Sequence, residues 1–380
     1  MILAIDGYEA NVARRVGIGQ YAYEMLTHLY SAIGKAPQRQ LSVRVYLPSV
    51  PLPDMPPQNT WWKYRVVGPR AFWTFIALPF FLSLDRPKAA VVFSPTHYIP
   101  RFIALPRIMA IMDLSYLVYP QLFKDKDLHQ LVYWTEYSAR HAEAIFTISS
   151  FSKRAIIEAY KISGERVIVT YPGIAERHRH PMTKDKLALK YGISQNYILS
   201  VGTIQPRKNY SRLIAAFALF LKKNPSKPED TQLIIVGKKG WLYEEILKAP
   251  AVYKIADRVR FLDFVPDSDL PNLYRHALCF ALPSLYEGFG LPVLEAMAYG
   301  CPVVVSRVSS LPEIAGSAGI YVEPENVASI AGGLLTAVTE RTLESGKARV
   351  KQGIEQSKKF TWDSAAAVAL ATIEKIGRSK

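Results

Sequence analysis

The sequence predicts an α/β protein made of two Rossmann-like domains, each a parallel sheet covered by helices. Three observations lead there. Strand-like and helix-like segments alternate along all 380 residues, the order that parallel βαβ layers require. That length exceeds what a single hydrophobic core usually organises. A charged, less patterned stretch over residues 172–196 divides the alternation into two series.

In the first series, residues 2–5 read as a strand and residues 20–33 as a helix. Residues 43–47, 89–93, 108–111, 144–148 and 167–169 are short apolar runs and read as further strands. The second series opens with a strand at 197–201 and a helix at 210–222. Strands follow at 232–236, 259–261, 277–282 and 302–306, with a helix at 292–299 before the last of them. Residues 222–231 are polar with two prolines and read as a surface loop. A helical pattern over 362–376 closes the chain after a bend at Phe360.

Apolar residues make up 49% and charged residues 21%, a globular balance that excludes disorder. The 47 basic against 32 acidic residues leave a net charge of +15. Such an excess suits nucleic acid, an anionic membrane or a phosphorylated substrate. No nucleic-acid-binding motif accompanies it, so a nucleic-acid partner is not expected. Cys279 and Cys301 sit in apolar runs and read as buried thiols, not as a disulfide scaffold or metal site. Met1 leads straight into a strand-like run, so no signal peptide is expected. Nowhere do about 18 apolar residues run together, so no membrane span is implied. The expected compartment is the cytoplasm, and the charge leaves room for association with the inner membrane surface.

The most informative stretch is Glu287-Gly288-Phe289-Gly290-Leu291-Pro292-Val293-Leu294-Glu295. A buried strand leads into it, and two glycines permit a tight turn and close approach of the backbone to a ligand. Pro292 suits a first helical position and Gly300 a helix end. Amides at a helix start attract anions, and carboxylates accept hydrogen bonds from hydroxyls. Together they fit a ligand carrying phosphate and hydroxyls, such as a sugar nucleotide. A capped helix with one surface glutamate is the plainer alternative.

The second motif is Val201-Gly202-Thr203-Ile204-Gln205-Pro206-Arg207-Lys208-Asn209. A strand ends here, and Asn209 is placed to cap the next helix. Arg207 and Lys208 stand beside the positive end of that helix, where cations are disfavoured unless an anion completes the site. Both loops follow strands of a parallel sheet, whose carboxyl ends are where ligands collect. They are therefore expected to converge.

These two motifs resemble the signature of retaining glycosyltransferases of the large GT-B "family 4" group, and the likeness runs over nearly the whole chain. The resemblance implies two domains facing across a cleft, with the terminal helix crossing back to the first. Residues 1–175 with 361–380 would form an acceptor domain, 176–195 a linker, and 196–360 a nucleotide-sugar domain. It implies that Arg207 and Lys208 clamp the donor diphosphate, that Glu287 and the amides of Gly288, Phe289, Gly290 and Leu291 hold the donor sugar, and that Glu295 holds the ribose. Gly202 and Val265 would also line the donor, Val265 near the base, and Gly237-Lys238-Lys239-Gly240 could line the nucleotide. Gly17 and Gly19, a lone Gly-x-Gly that lacks the third glycine of a dinucleotide fingerprint, would face the donor phosphates.

One departure from the family pattern stands out. Relatives carry His-Asp-Leu-Ser where this chain has Met112-Asp113-Leu114-Ser115. Methionine can neither exchange a proton nor carry a charge, so no catalytic duty of that histidine transfers here. Asp113 could still orient an acceptor hydroxyl, with a catalytic role alongside Arg207, Lys208 and Glu287. His97 ends a strand on the same side and is the second acceptor-side candidate, although a lone histidine is more often structural. The aromatic run 70–82 reads either as a buried helix or as a surface for a membrane or lipid-linked acceptor. Arg177-His178-Arg179-His180 lacks a carboxylate or cysteine to complete a metal set and reads as solvated linker.

The expected reaction is retaining transfer of a hexose, mannose favoured, from a nucleoside-diphosphate donor to a lipid-linked or polysaccharide acceptor. GDP-mannose is the favoured donor, with UDP-sugars behind it, and the resemblance implies no metal and no other cofactor. The competing readings are a GT-B-fold epimerase or phosphorylase and a non-catalytic sugar-nucleotide-binding subunit. The sequence leaves donor base, linkage, acceptor and oligomeric state open.

Overall fold

The computed structural model describes residues 1–36, 40–175, 181–223 and 230–379. The chain divides into two compact units, Met1–Ala175 with Thr361–Lys380, and Glu176–Phe360. The Arg177–His180 run and most of the 222–231 loop lie outside the described residues.

The first unit is a seven-stranded sheet of β1 (Ile2–Asp6), β2 (Ser42–Leu47), β3 (Trp62–Val66), β4 (Val91–Ser94), β5 (Arg107–Ile111), β6 (Ala144–Thr147) and β7 (Val167–Val169). Its order is β3-β2-β1-β4-β5-β6-β7, and its pairings are parallel, for example Asp6 opposite Tyr46. Continuous apolar runs such as Val91–Ser94 are buried throughout, as expected for strands covered on both faces. The chain winds to one side of β1 and then restarts on the other at β4. The point where winding reverses is where open α/β sheets bind ligands, and the residues ending β1 and β4 stand there.

β3 was not foreseen. Its sequence alternates large and basic residues, Trp62-Lys63-Tyr64-Arg65-Val66. As an edge strand only Trp62 is buried, so it lacks an apolar run. The terminal helix Trp362–Arg378 belongs to the first unit. Thr361 caps it by accepting the Ser364 N–H at 3.2 Å. Trp362 packs against Tyr21 of the helix Ile18–Gly34, with ring centroids 5.7 Å apart.

The second unit is a six-stranded sheet of β8 (Tyr197–Val201), β9 (Gln232–Val236), β10 (Val259–Leu262), β11 (Cys279–Leu282), β12 (Val303–Ser306) and β13 (Gly319–Val322). Its order, β10-β9-β8-β11-β12-β13, places the reversal between β8 and β11. The amphipathic helix Tyr210–Lys223 turns Leu213, Phe217 and Phe220 into a core shared with Ile330 and Leu334 of the helix Val327–Glu340. Cys279 and Cys301 are buried free thiols.

Residues 184–191, expected to be linker, form a helix instead. Thr183 caps its start and Gly192 ends it in a left-handed conformation. Only Leu187 is buried, so the apolar face was too thin to read. Among the described residues no helix is long and apolar enough to cross a membrane.

Candidate functional site

The loops after β8 and β11 meet at the reversal point of the second sheet. After β8 the chain makes a short 3-10 turn, Pro206–Lys208, and Asn209 follows in a left-handed conformation at φ 62°. The Leu285 N–H donates to the Arg207 carbonyl at 2.9 Å, which joins the two loops through their backbones. Lys208 Nζ donates to Glu287 Oε1 at 2.6 Å and Arg207 Nη1 to Glu287 Oε2 at 3.2 Å. Arg207 Nη1 also reaches the Tyr286 carbonyl, and Ser284 Oγ donates to Glu287 Oε1 at 2.7 Å. One anion beside Arg207 and Lys208 is thus a carboxylate of the chain itself, and the three groups together keep a net positive charge.

This cluster is largely buried. Glu287 is 6% exposed and Lys208 7% exposed. Burial alone would push the Glu287 carboxyl up, but Lys208 and Arg207 beside it outweigh burial and bring it down to about 2. At neutral pH it is a carboxylate between two cations.

A third loop, after β12, backs the second. Ser309 Oγ accepts the Glu287 N–H at 2.9 Å, and Ser310 Oγ lies 2.9 Å from both the Glu287 and Phe289 carbonyls. Gly288, Phe289 and Gly290 are buried, and Phe289 packs edge-on to Phe360 at 5.7 Å. The helix Leu291–Ala298 then begins, with Gly290 at φ 100° before it and Gly300 at φ 73° after it. Glu295 lies inside that helix, 4% exposed, and accepts from the Tyr274 hydroxyl at 2.8 Å.

Gly202 follows β8, and its N–H donates to the Val236 carbonyl at 2.8 Å. Gly237, the next residue after β9, approaches so closely that a Cβ there would sit 2.0 Å from the Gly202 oxygen. No side chain fits. Ile204 N–H to Lys238 carbonyl and Gly240 N–H to Ile204 carbonyl, at 2.9 and 3.0 Å, continue the join. Val265 is buried beyond the end of β10, at the outer edge of the sheet.

Asn209 does not cap with its side chain. Its amide nitrogen donates to the Pro283 and Pro324 carbonyls at 2.9 and 2.6 Å, and its oxygen accepts from Arg212. It fastens the cation loop to two neighbouring loops.

In the first unit, Gly17 precedes the first helix at φ 53° and Gly19 is buried in its first turn. His97 Nε2 accepts the Met112 N–H at 3.4 Å, which leaves the ring proton on Nδ1. Burial lowers the His97 ring to about 4 against an opposing pull from Asp113, so it is neutral at pH 7 and poorly suited to trade protons there. Asp113 Oδ1 accepts the Ser115 N–H at 2.8 Å, a local turn.

The sequence reading missed Asp6. It ends β1 beside the reversal point of the first sheet and is 2% exposed. Oδ1 accepts from Trp73 Nε1 at 2.8 Å and from the Tyr8 N–H at 3.1 Å, while Oδ2 is buried without a partner. Burial raises this carboxyl to about 6. The available signal was an acid ending the apolar run Ile2-Leu3-Ala4-Ile5. Ser284, three residues before Glu287, was also passed over.

The sequence holds two Asp-x-Asp runs, Asp125-Lys126-Asp127 and Asp267-Ser268-Asp269. Asp269 is engaged by Lys190 and Tyr191 at 2.5 Å each. Among the described residues no three His, Cys, Asp or Glu side chains group as metal ligands.

Known proteins resemble this chain in sequence and in fold. The family model described as "Glycosyl transferases group 1" matches residues 184–356, which include Arg207, Lys208, Glu287 and Glu295. Over 302 residues the chain is 31% identical to the O-antigen chain mannosyltransferase B of Escherichia coli, covering 74% of this chain and 73% of that one. Sucrose-phosphate synthase from Thermosynechococcus elongatus superposes with a TM-score of 0.74 at 17% identity over 100% of both chains. Anabaena HepE, solved with UDP-glucose, superposes with a TM-score of 0.69 at 20% identity over 98% of both. At those identities the structural likeness is one of fold, that of GT-B glycosyltransferases. By its sequence match to the mannosyltransferase and to the family model, this chain belongs to the group 1 glycosyl transferases.

Proposed function

We propose that the protein moves a hexose, with mannose favoured, from a nucleoside-diphosphate sugar to a lipid-linked or polysaccharide acceptor, with retention and without a metal. The observation that carries this reading is the convergence of Arg207 and Lys208 on Glu287 at the reversal point of the second sheet. Two cations there suit a diphosphate, Arg by a forked contact and Lys as a point charge. GDP-mannose is favoured because the relative matched over most of its length is a mannosyltransferase. The fold neighbour solved with UDP-glucose keeps a UDP-sugar as the second donor.

In the proposed reaction the bond from the anomeric carbon to the diphosphate oxygen breaks. The acceptor oxygen bonds to that carbon on the same face, and the acceptor proton passes to the departing diphosphate. Arg207 and Lys208 stabilise the charge gained by the leaving group. Glu287 orients both cations and the donor sugar, Glu295 takes the ribose, and Gly202, Val265 and the 288–291 turn line the donor. Gly17 and Gly19 face the donor phosphates. Asp113 orients the acceptor, with His97 as a neutral neighbour. Because the leaving group takes the proton, the route is compatible with Met112.

Met112 also favours a second reading, a non-catalytic subunit that binds the sugar nucleotide. Incubation with GDP-mannose and an acceptor membrane extract separates the two. Net transfer of mannose, with an α-anomeric product from the α-linked donor by NMR, is the expected result. Binding of GDP with neither transfer nor donor hydrolysis overturns the enzyme reading.

A further inference from the structure

Phe72, just before the helical stretch through Trp73–Ala77 and Leu78–Leu84, and Ile76, Phe80 and Leu84 within it recur at every fourth position. All four face solvent, with exposures of 71%, 58%, 56% and 56%. The other side of the same stretch is core, with Trp73, Ala77, Leu78 and Leu82 buried together. A surface helix normally turns a polar side outward; here both sides are apolar.

Phe102 is a further exposed ring, on a loop that packs against this stretch. It is 92% exposed. Its neighbours tie its loop to this stretch: the Arg101 guanidinium stacks 5.2 Å from the Phe75 ring, and Ile103 and Leu105 pack on the cluster that holds Trp73. Phe72 and Phe102 both have left-handed backbones, at φ 54° and 56°. That conformation is unfavourable for a bulky residue and persists only where the surrounding structure imposes it.

Charge identifies the occupant. Residues 55–112 contain seven Lys or Arg and one acid, Asp85. That acid is used internally, accepting from Arg65 Nη2 at 2.6 Å and from the Tyr46 hydroxyl at 2.9 Å. Arg70 precedes the stripe and Arg86 and Lys88 follow it, all exposed. A second copy would bring the same positive surface to the same place and repel. A nucleic acid would use the cations but leave the aliphatic stripe in water. An anionic bilayer satisfies both, with rings and aliphatic side chains at the acyl boundary and cations among the headgroups.

We propose that this face of the first unit docks the protein on an anionic lipid surface. The proposal stands apart from the assignment of sugar transfer, because docking needs neither donor nor acceptor.

The test is co-sedimentation of the full chain, without nucleotide, with vesicles of phosphatidylglycerol in phosphatidylcholine and of phosphatidylcholine alone. Wild type is expected to bind the anionic vesicles, at least tenfold more weakly in high salt, and the neutral ones poorly. Phe72→Ser with Phe80→Ser is expected to lose at least tenfold in binding with an unchanged melting temperature. Arg86→Glu with Lys88→Glu reverses charge and keeps every apolar side chain of the stripe, at the loss of the Arg86 contacts to the Ser83 and Leu84 carbonyls. It is expected to lose at least tenfold on anionic vesicles alone, each cation being worth roughly fivefold, and it decides the matter if the serine variant folds poorly. Leu189→Ser, at an 87% exposed position in the other unit, is expected to bind as wild type. No binding to anionic vesicles, equal binding to neutral ones, or full binding by either double variant overturns the proposal. A loss in Leu189→Ser matching that of the double variants overturns it too.

Discussion

Replacing Glu287 by Gln keeps the shape of the side chain and removes its charge. In the wild type, burial works against the carboxylate, and Lys208 and Arg207 more than compensate, lowering it from 4.5 to about 2. That fall corresponds to about 3 kcal/mol of folding stability. A carboxyl lowered in the folded state contributes fully above its unfolded value of 4.5. The contribution is lost as pH falls toward 2. In the variant, Lys208, whose side chain is 9% exposed, loses its counter-charge, and breaking a buried pair on one side is costly. Glu287→Gln is therefore expected to lose about 3 kcal/mol at pH 7, or roughly 6–12 °C in melting temperature for a unit of this size. At pH 3 the gap between variant and wild type should shrink to about half or less. Urea unfolding followed by tryptophan fluorescence at both pH values measures it. A variant within about 0.5 kcal/mol of wild type at pH 7 would refute the reasoning, as would a gap that does not shrink at pH 3.

Arg207→Ala is expected to lower sugar transfer at least a hundredfold, by removing charge stabilisation of the leaving group, while Met112→His changes the rate less than about fivefold; equal effects in an initial-rate assay contradict the proposed proton route. Asp6→Asn should stabilise the protein at alkaline pH. Burial raises the wild-type carboxyl from 3.8 to about 6, so its contribution is full below pH 3.8 and lost as pH rises through 6. The variant should gain up to about 3 kcal/mol at pH 8 and nothing at pH 3.5, and a loss at pH 8 counts against the buried, unpartnered carboxylate. Gly237→Ala places a Cβ 2.0 Å from the Gly202 oxygen, where backbone cannot yield cheaply, and should cost about 3 kcal/mol or more in thermal unfolding.

Much of the fold was legible because buried parallel strands are continuous apolar runs, as at Gln232–Val236 and Val303–Ser306. Where a strand is mostly exposed, or short and of mixed character, the signal fails. β3 exposes every residue after Trp62 at least in part, and β13 is only four residues of mixed character, Gly319-Ile320-Tyr321-Val322. The convergence of the Arg207 and Glu287 loops was readable because both follow parallel strands. What each side chain then touches was not. The Lys208–Glu287 contact spans 79 positions, and it sets a carboxylate of the chain beside the two cations. Asn209 had the residue type of a cap, yet two carbonyls 74 and 115 positions away claim its amide. Asp6 becomes conspicuous only once the strand order puts β1 at the reversal point.

The central claim is that Arg207 and Lys208 hold the diphosphate of a nucleotide sugar. Calorimetric titration of GDP, UDP and phosphate-free guanosine into wild type and Lys208→Ala tests it most directly. Wild type should bind at least one of the two diphosphates at least tenfold more tightly than guanosine. Lys208→Ala should remove most of that advantage while leaving guanosine binding unchanged. Equal binding of guanosine and both diphosphates by wild type, or an undiminished diphosphate advantage in the variant, would contradict it.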